Sequence, residues 1–254
     1  MDNEYVVCCA PRRSGSSLMH NIVGDILDSS GLSESYHVLK AHHPTAPAYL
    51  AVRELSCRYV YVARDIRDVI VSDVTLHDLS NTFPRVAAMS VLPESLRSYR
   101  YWNQKDDLYK TTYDSLLADL PGHVKGLSDF LGADVNDTQA EEIAARHSER
   151  KVRSEVASHY AKNPTAQATD IDSEVGFRKG HFQGGKTGKW MEELSPLQIA
   201  FIEFYGSSWL LDNGFSLSQS KGRRLLGGML GAPFMLAGRI VVKAKLALGR
   251  AEVH

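Results

Sequence analysis

The sequence predicts an α/β fold of three layers, with a central, mainly parallel sheet flanked by helices. Three observations carry this expectation. Short apolar runs rich in β-branched and aromatic residues alternate with stretches of helical period, and two of those runs turn directly into a helix. No internal repeat is visible. With 254 residues, 43% of them hydrophobic, the chain can bury a sizeable core. It divides into a body, residues 1–220, and a tail, 221–254, of different character.

The first strand is Tyr5-Val6-Val7-Cys8-Cys9, and Leu18 to Leu27 places apolar residues at helical spacing. Between them lies the loop Ala10-Pro11-Arg12-Arg13-Ser14-Gly15-Ser16-Ser17. A strand, tight loop and helix in this order make an anion-binding geometry. The first helical turn carries N–H groups without intrahelical partners, and the helix dipole adds positive charge where they point. Gly15 lets a ligand come close, while Ser14, Ser16, Ser17 and Arg13 add donors. A phosphate or sulfate fits there, although such a stretch taken alone more commonly means an ordinary connection with a Ser N-cap.

Tyr36 to Lys40 reads as a second strand, delivering Lys40, His42 and His43 to the edge where open α/β sheets bind ligands. Arg58 to Ala63 is the clearest strand, apolar enough to be buried on both faces. It ends at Arg64, and a helix follows from Ile66 through Asp73 with Asp65 as N-cap; on it Asp68 and Ser72 stand one turn apart.

Residues 79–96, interrupted by Pro84 and Pro93, read as a loop or short helices lining a substrate pocket. A helix over Ser95–Lys105, a strand over Asp107–Asp114 and helical residues from Ser115 follow. Val124–Leu131 forms another helix, closed by Gly132 at C′. Glu141–Tyr160 is a charged helical stretch, 161–176 a polar loop, and 177–190 a basic, glycine-rich segment suited to covering an anion or to linking elements. Ser195 and Pro196 open a last helix of the body, as N-cap and N1, running to about Leu211.

The 29 basic and 30 acidic residues leave a net charge of −1, so nothing in the bulk charge points to nucleic acid and any anion site is local. Cys8, Cys9 and Cys57 make neither a disulfide framework nor a metal set with His. They read as reduced thiols, and with no leader pattern the expected location is the cytoplasm, peripheral to a membrane if the tail docks there. In that tail Leu225 to Gly238 is apolar, shorter than the roughly 20 residues of a membrane span. Flanked by Arg223, Arg224, Arg239, Lys243, Lys245 and Arg250, it suits an anionic membrane surface, or a helical hairpin packed on the domain or on a partner subunit, such as a second copy in a homo-oligomer.

Four stretches in order resemble the soluble sulfotransferases that use 3′-phosphoadenosine 5′-phosphosulfate (PAPS) and release PAP. Pro11 to Ser17 is similar to the loop that grips the 5′-phosphosulfate, implying cofactor contacts from Arg12, Arg13, Ser14, Gly15, Ser16 and Ser17. Arg64 to Ser72 resembles the signature whose leading Arg and trailing Ser bind the 3′-phosphate. Lys40-Ala41-His42 resembles the Lys-Thr-His element whose His is the general base. Tyr113, before Asp114, matches a Tyr near the adenine, and Arg178, Lys179 and Gly180 match a segment that closes over the 3′-phosphate. The chain departs from the pattern in its doubled Arg12-Arg13 and in the longer run from His181 to Thr187, and His43 competes with His42.

The resemblance implies in-line sulfuryl transfer to a hydroxyl or amine of a small-molecule or lipid-like acceptor, with His42 as base, Arg13 and Lys40 as charge stabilisers, and no metal. Two alternatives stand beside it. One is a catalytically inactive PAPS-binding or membrane-associated adaptor; the other is a nucleotide kinase, for which no Walker sequence is present.

Overall fold

A computed structural model of the chain describes residues 4–162 and 186–247. Its elements are β1 (Glu4–Cys9), α1 (Ser16–Ser29), β2 (Tyr36–Ala41), α2 (Pro47–Leu50), β3 (Cys57–Ala63), α3 (Ile66–Leu76), α4 (Phe83–Ala88) and α5 (Val91–Trp102). There follow β4 (Leu108–Thr112), α6 (Tyr113–Ala118), α7 (Leu120–Leu131), α8 (Asp137–Arg146), α9 (Glu149–Lys162), α10 (Trp190–Glu193), α11 (Pro196–Asp212) and α12 (Lys221–Ala247).

Among the described residues the sheet has the order β2-β1-β3-β4, and every pairing is parallel. Val7 stands opposite Leu39 on one side and Tyr59 on the other. Because strand side chains alternate, β1 sends Val6 and Cys8 into one apolar layer and Val7 and Cys9 into the other. The first layer is filled by α1, α7 and α8 through residues such as Met19, Ile26, Leu127 and Ile143. The second is filled by α3, α5 and α11 through Ile66, Ile70, Trp102, Phe201 and Trp209. The expected sheet between helical layers is the observed one.

Several boundaries moved for identifiable reasons. Pro93 does not interrupt a helix but sits in the first turn of α5, where backbone N–H groups lack intrahelical partners anyway. Val91, Leu92 and Leu96 thereby reach the core. The strand expected to run to Asp114 ends at Thr112, whose hydroxyl caps α6 by accepting from Ser115 N–H at 3.1 Å. The charged stretch 141–160 is two helices, parted at His147 and Ser148; His147 Nε2 lies 2.9 Å from Asp25 Oδ2 on α1. Within the expected loop 161–176, Ala161 and Lys162 end α9, and residues 163–176 lie outside the described residues. Over its described residues the tail is one helix and not a hairpin: α12 packs along α11 and reaches α4 and α5.

Candidate active site

The chain leaves β1 through α1 towards β2 on one side and returns to β3 on the other. Where such paths diverge, a crevice opens beyond the strand ends. The loops after β1 and β3 meet there.

In the first loop Arg13 (φ 66) and Gly15 (φ 88) are both left-handed and bracket Ser14. Gly15 is the N-cap of α1 and offers no side-chain cap, so the first-turn N–H groups remain available to an anion. Ser14 is fully buried, and its Oγ has no hydrogen-bond partner among the described residues. A hydroxyl in that position is costly unless something else bonds it, and an oxyanion has the required chemistry. A Cβ on Gly15 would stand 2.7 Å from Tyr113 Cδ2, so the first residue of α6 closes one side of the cradle.

Arg64, at the exit of β3, ties three segments together. Its Nη1 donates to the Arg13 carbonyl at 2.9 Å, its Nη2 donates to the Lys186 carbonyl at 3.0 Å, and its guanidinium lies 4.8 Å from the centre of the Tyr113 ring. Its Nε is buried without a partner among the described residues. From α3, Ser72 Oγ accepts a hydrogen bond from Arg13 Nε at 2.9 Å. The two strand-to-helix junctions are therefore one cationic assembly.

β2 supplies the basic groups. Lys40 Nζ donates to Ser17 Oγ at 3.2 Å. His42 Nδ1 lies 3.0 Å from the Ala10 carbonyl oxygen, and because a carbonyl only accepts, Nδ1 carries the proton in that bond. The neutral ring then keeps its lone pair at Nε2. Ser98 on α5 donates to the His42 carbonyl at 2.6 Å, holding the backbone. His43 is buried, with Nδ1 2.8 Å from Thr45 Oγ1. Burial, joined by the Arg97 charge, pushes its pKa down to about 4, which makes it a weak base at neutral pH.

The arginine doublet divides. Burial lowers the pKa of Arg13, with the charge of Asp73 opposing and that of Arg64 adding to the shift. The Arg12 charge bears on His43 and on Asp73, whose own pKa is raised chiefly by burial.

Sequence reasoning missed how the helix start is used. Arg67 is buried and paired with Asp65 at 2.7 Å and Glu203 at 2.6 Å, and it lies 3.8 Å over the Trp190 ring. Asp68 Oδ2 accepts from Gly188 N–H at 2.7 Å and Oδ1 from Trp190 N–H at 3.1 Å. Asp68 thus anchors the end of the basic segment, a role that one-turn spacing with Ser72 did not announce. Asp65 is the expected N-cap, accepting from Arg67 N–H at 2.9 Å. Arg178, Lys179 and Gly180 lie outside the described residues. The other expected positions, from Arg12 to Ser17 with Lys40, His42, Arg64, Ser72 and Tyr113, belong to this one crevice or are bonded to it.

The sequence matches the sulfotransferase domain family over residues 29–213, which is more than half of the chain. The chain belongs to the sulfotransferase family. The match takes in β2, β3, α3 and Tyr113 and begins after the first loop, so that loop's place in the site rests on the geometry above. Solved structures of the fold include mouse sulfotransferase SULT7A1 complexed with PAP, at 16% identity and a TM-score of 0.60, covering 89% of this chain and 88% of that one. Retinol dehydratase with androsterone and the inactive cofactor PAP is 18% identical, with a TM-score of 0.56 over 84% of this chain and 82% of that one. Retinol dehydratase with retinol and PAP is 19% identical, with a TM-score of 0.53 over 85% and 83%. At these identities the likeness is one of fold. Family membership puts sulfuryl transfer ahead of the nucleotide-kinase alternative.

Proposed function

We propose that this sulfotransferase moves the sulfuryl group of PAPS to a hydroxyl or amine of a small-molecule or lipid-like acceptor and releases PAP. The observation that carries this reading is the joined pair of anion positions: an uncapped helix start beside the orphaned Ser14 hydroxyl, and Arg64 with Ser72 held to it through Arg13. A nucleotide with one phosphate group at each end of its ribose carries the matching pair of anions. The neighbours bound to PAP support the same nucleotide.

Bound PAPS supplies an electrophilic sulfur and a phosphate leaving group. His42 Nε2 takes the acceptor proton as the acceptor oxygen or nitrogen attacks in line. The N–H groups of Ser14 to Ser17, with Arg13 and Lys40, stabilise charge on the sulfuryl and bridging oxygens, by analogy with phosphoryl transfer. Arg13 acts by charge and hydrogen bonds only, since a guanidinium does not give up its proton near neutral pH. Arg64 and Ser72 hold the 3′-phosphate, and Tyr113 lies beside the adenine. Arg12 adds a second cation to the same loop, its charge bearing on His43 and Asp73. A reducing cytoplasm suits Cys8 and Cys9, two buried free thiols in the central strand.

Incubation with sulfur-labelled PAPS and a lipid and metabolite extract tests the reading. The expected result is a labelled product and stoichiometric PAP, both lost in His42→Ala. PAP binding without any labelled product would favour the adaptor, and stabilisation by ATP with magnesium but not by PAP would favour the kinase.

A further inference from the structure

We propose that the outer face of α12 docks the enzyme on an anionic lipid surface. By length and composition Lys221–Ala244 is apolar enough to cross a bilayer, yet one side of it is already built into the domain. Met235 and Val242 are buried, and Gly231 abuts the Phe201 side chain. A Cβ on Gly227 would stand 2.7 Å from the Phe201 backbone nitrogen, and one on Gly238 3.2 Å from the Ala88 carbonyl oxygen. Spanning would require tearing this face from α11 and α4. Lying flat requires nothing of the kind.

The opposite face is apolar and open. Met229, Leu236 and Ile240 are 66%, 60% and 59% exposed, and Leu225, Leu226 and Leu230 extend the same surface. Side chains of this size at helical spacing form a band that a headgroup–acyl boundary accepts. Charge selects the occupant. Lys221, Arg239 and Lys243 fall at three- and four-residue spacing on the row that holds Leu225 and Leu236, and all three are exposed. From Lys221 to Ala247 there is no acidic residue. A second copy meeting this face through its own α12 would set cation against cation, whereas an anionic surface neutralises them. The orientation matters to the site as well: α12 packs on α5, which donates Ser98 to the His42 carbonyl.

Sedimentation of the full chain with lipid vesicles tests the proposal without donor or acceptor, so its outcome is independent of the sulfotransfer reading. Vesicles of phosphatidylcholine with phosphatidylserine should bind at least about tenfold more protein than phosphatidylcholine alone, with the difference lost at high salt. Met229→Asp with Ile240→Asp should abolish binding, and Arg239→Glu with Lys243→Glu should abolish the preference for phosphatidylserine. An unchanged thermal unfolding midpoint shows that each variant is folded; should the aspartate pair fail to fold, the charge-reversed pair carries the test. Three results overturn the proposal: no binding to either vesicle, salt-independent binding that resists alkaline carbonate, or a solution dimer that Met229→Asp dissociates.

Discussion

Arg13 Nε and Ser72 Oγ, 59 positions apart in sequence, form a 2.9 Å hydrogen bond that joins the loop after β1 to the helix after β3. Either residue alone belongs to a short motif of modest specificity. Joined, and with Arg64 donating to the Arg13 carbonyl, they turn two strand-to-helix junctions into one cationic assembly.

Ser72→Ala should raise the PAP dissociation constant about tenfold, the loss of one hydrogen bond to a charged group. It should leave adenosine 5′-phosphosulfate, which lacks the 3′-phosphate, nearly unaffected. Calorimetric titration of both ligands checks this, and equal losses would move Ser72 away from the 3′-phosphate. Arg13→Ala should lower kcat by about a hundredfold or more, and by more than Arg12→Ala does.

His42→Ala should reduce kcat at least about a hundredfold with PAP affinity retained. The Nδ1 bond to Ala10 fixes the expectation, because it leaves Nε2 as the basic nitrogen. His43→Asn should keep most of the activity. A reversal of the two results in steady-state kinetics would transfer the role to His43.

His43 also sets a pH dependence of stability. Its folded pKa, about 4, lies below the ordinary histidine value of 6.5, so the unfolded chain binds the proton more readily between them. Stability from this group is fully present above pH ~6.5 and is lost as pH falls towards ~4. Urea midpoints measured across that interval should fall in the wild type and flatten in His43→Leu.

Glu203→Ala should destabilise the fold by about 3–5 kcal/mol, since it leaves Arg67 buried with half its pairing. Ser218 N–H and Gln219 N–H, which donate to the same carboxylate at 2.8 and 2.9 Å, lose their acceptor too. Denaturant titration reads this directly. Asp68→Asn should leave the fold nearly as stable but weaken nucleotide binding, because Asp68 holds the backbone at Gly188 and Trp190.

Local signals were enough for the strand-loop-helix at Tyr5–Leu27, the N-caps at Asp65 and Ser195, and the C′ glycine at Gly132, because each is decided within a few residues. Where the sequence misled, a local rule met its exception. Pro93 has the character of a breaker and lies in a first turn, and the tail, for which a hairpin is one expectation, forms the single helix α12 over its described residues.

What the sequence by itself determined was the α/β layering, the parallel strands and the two strand-to-helix junctions, since period, capping and turn chemistry are properties of neighbouring residues. Only the tertiary structure decided the partners. Arg13 turns to Ser72, Asp68 to Gly188, His42 to Ala10 and Arg67 to Glu203. Those choices depend on which strand ends lie side by side and on which charges are buried together, and neither is written in the spacing along the chain.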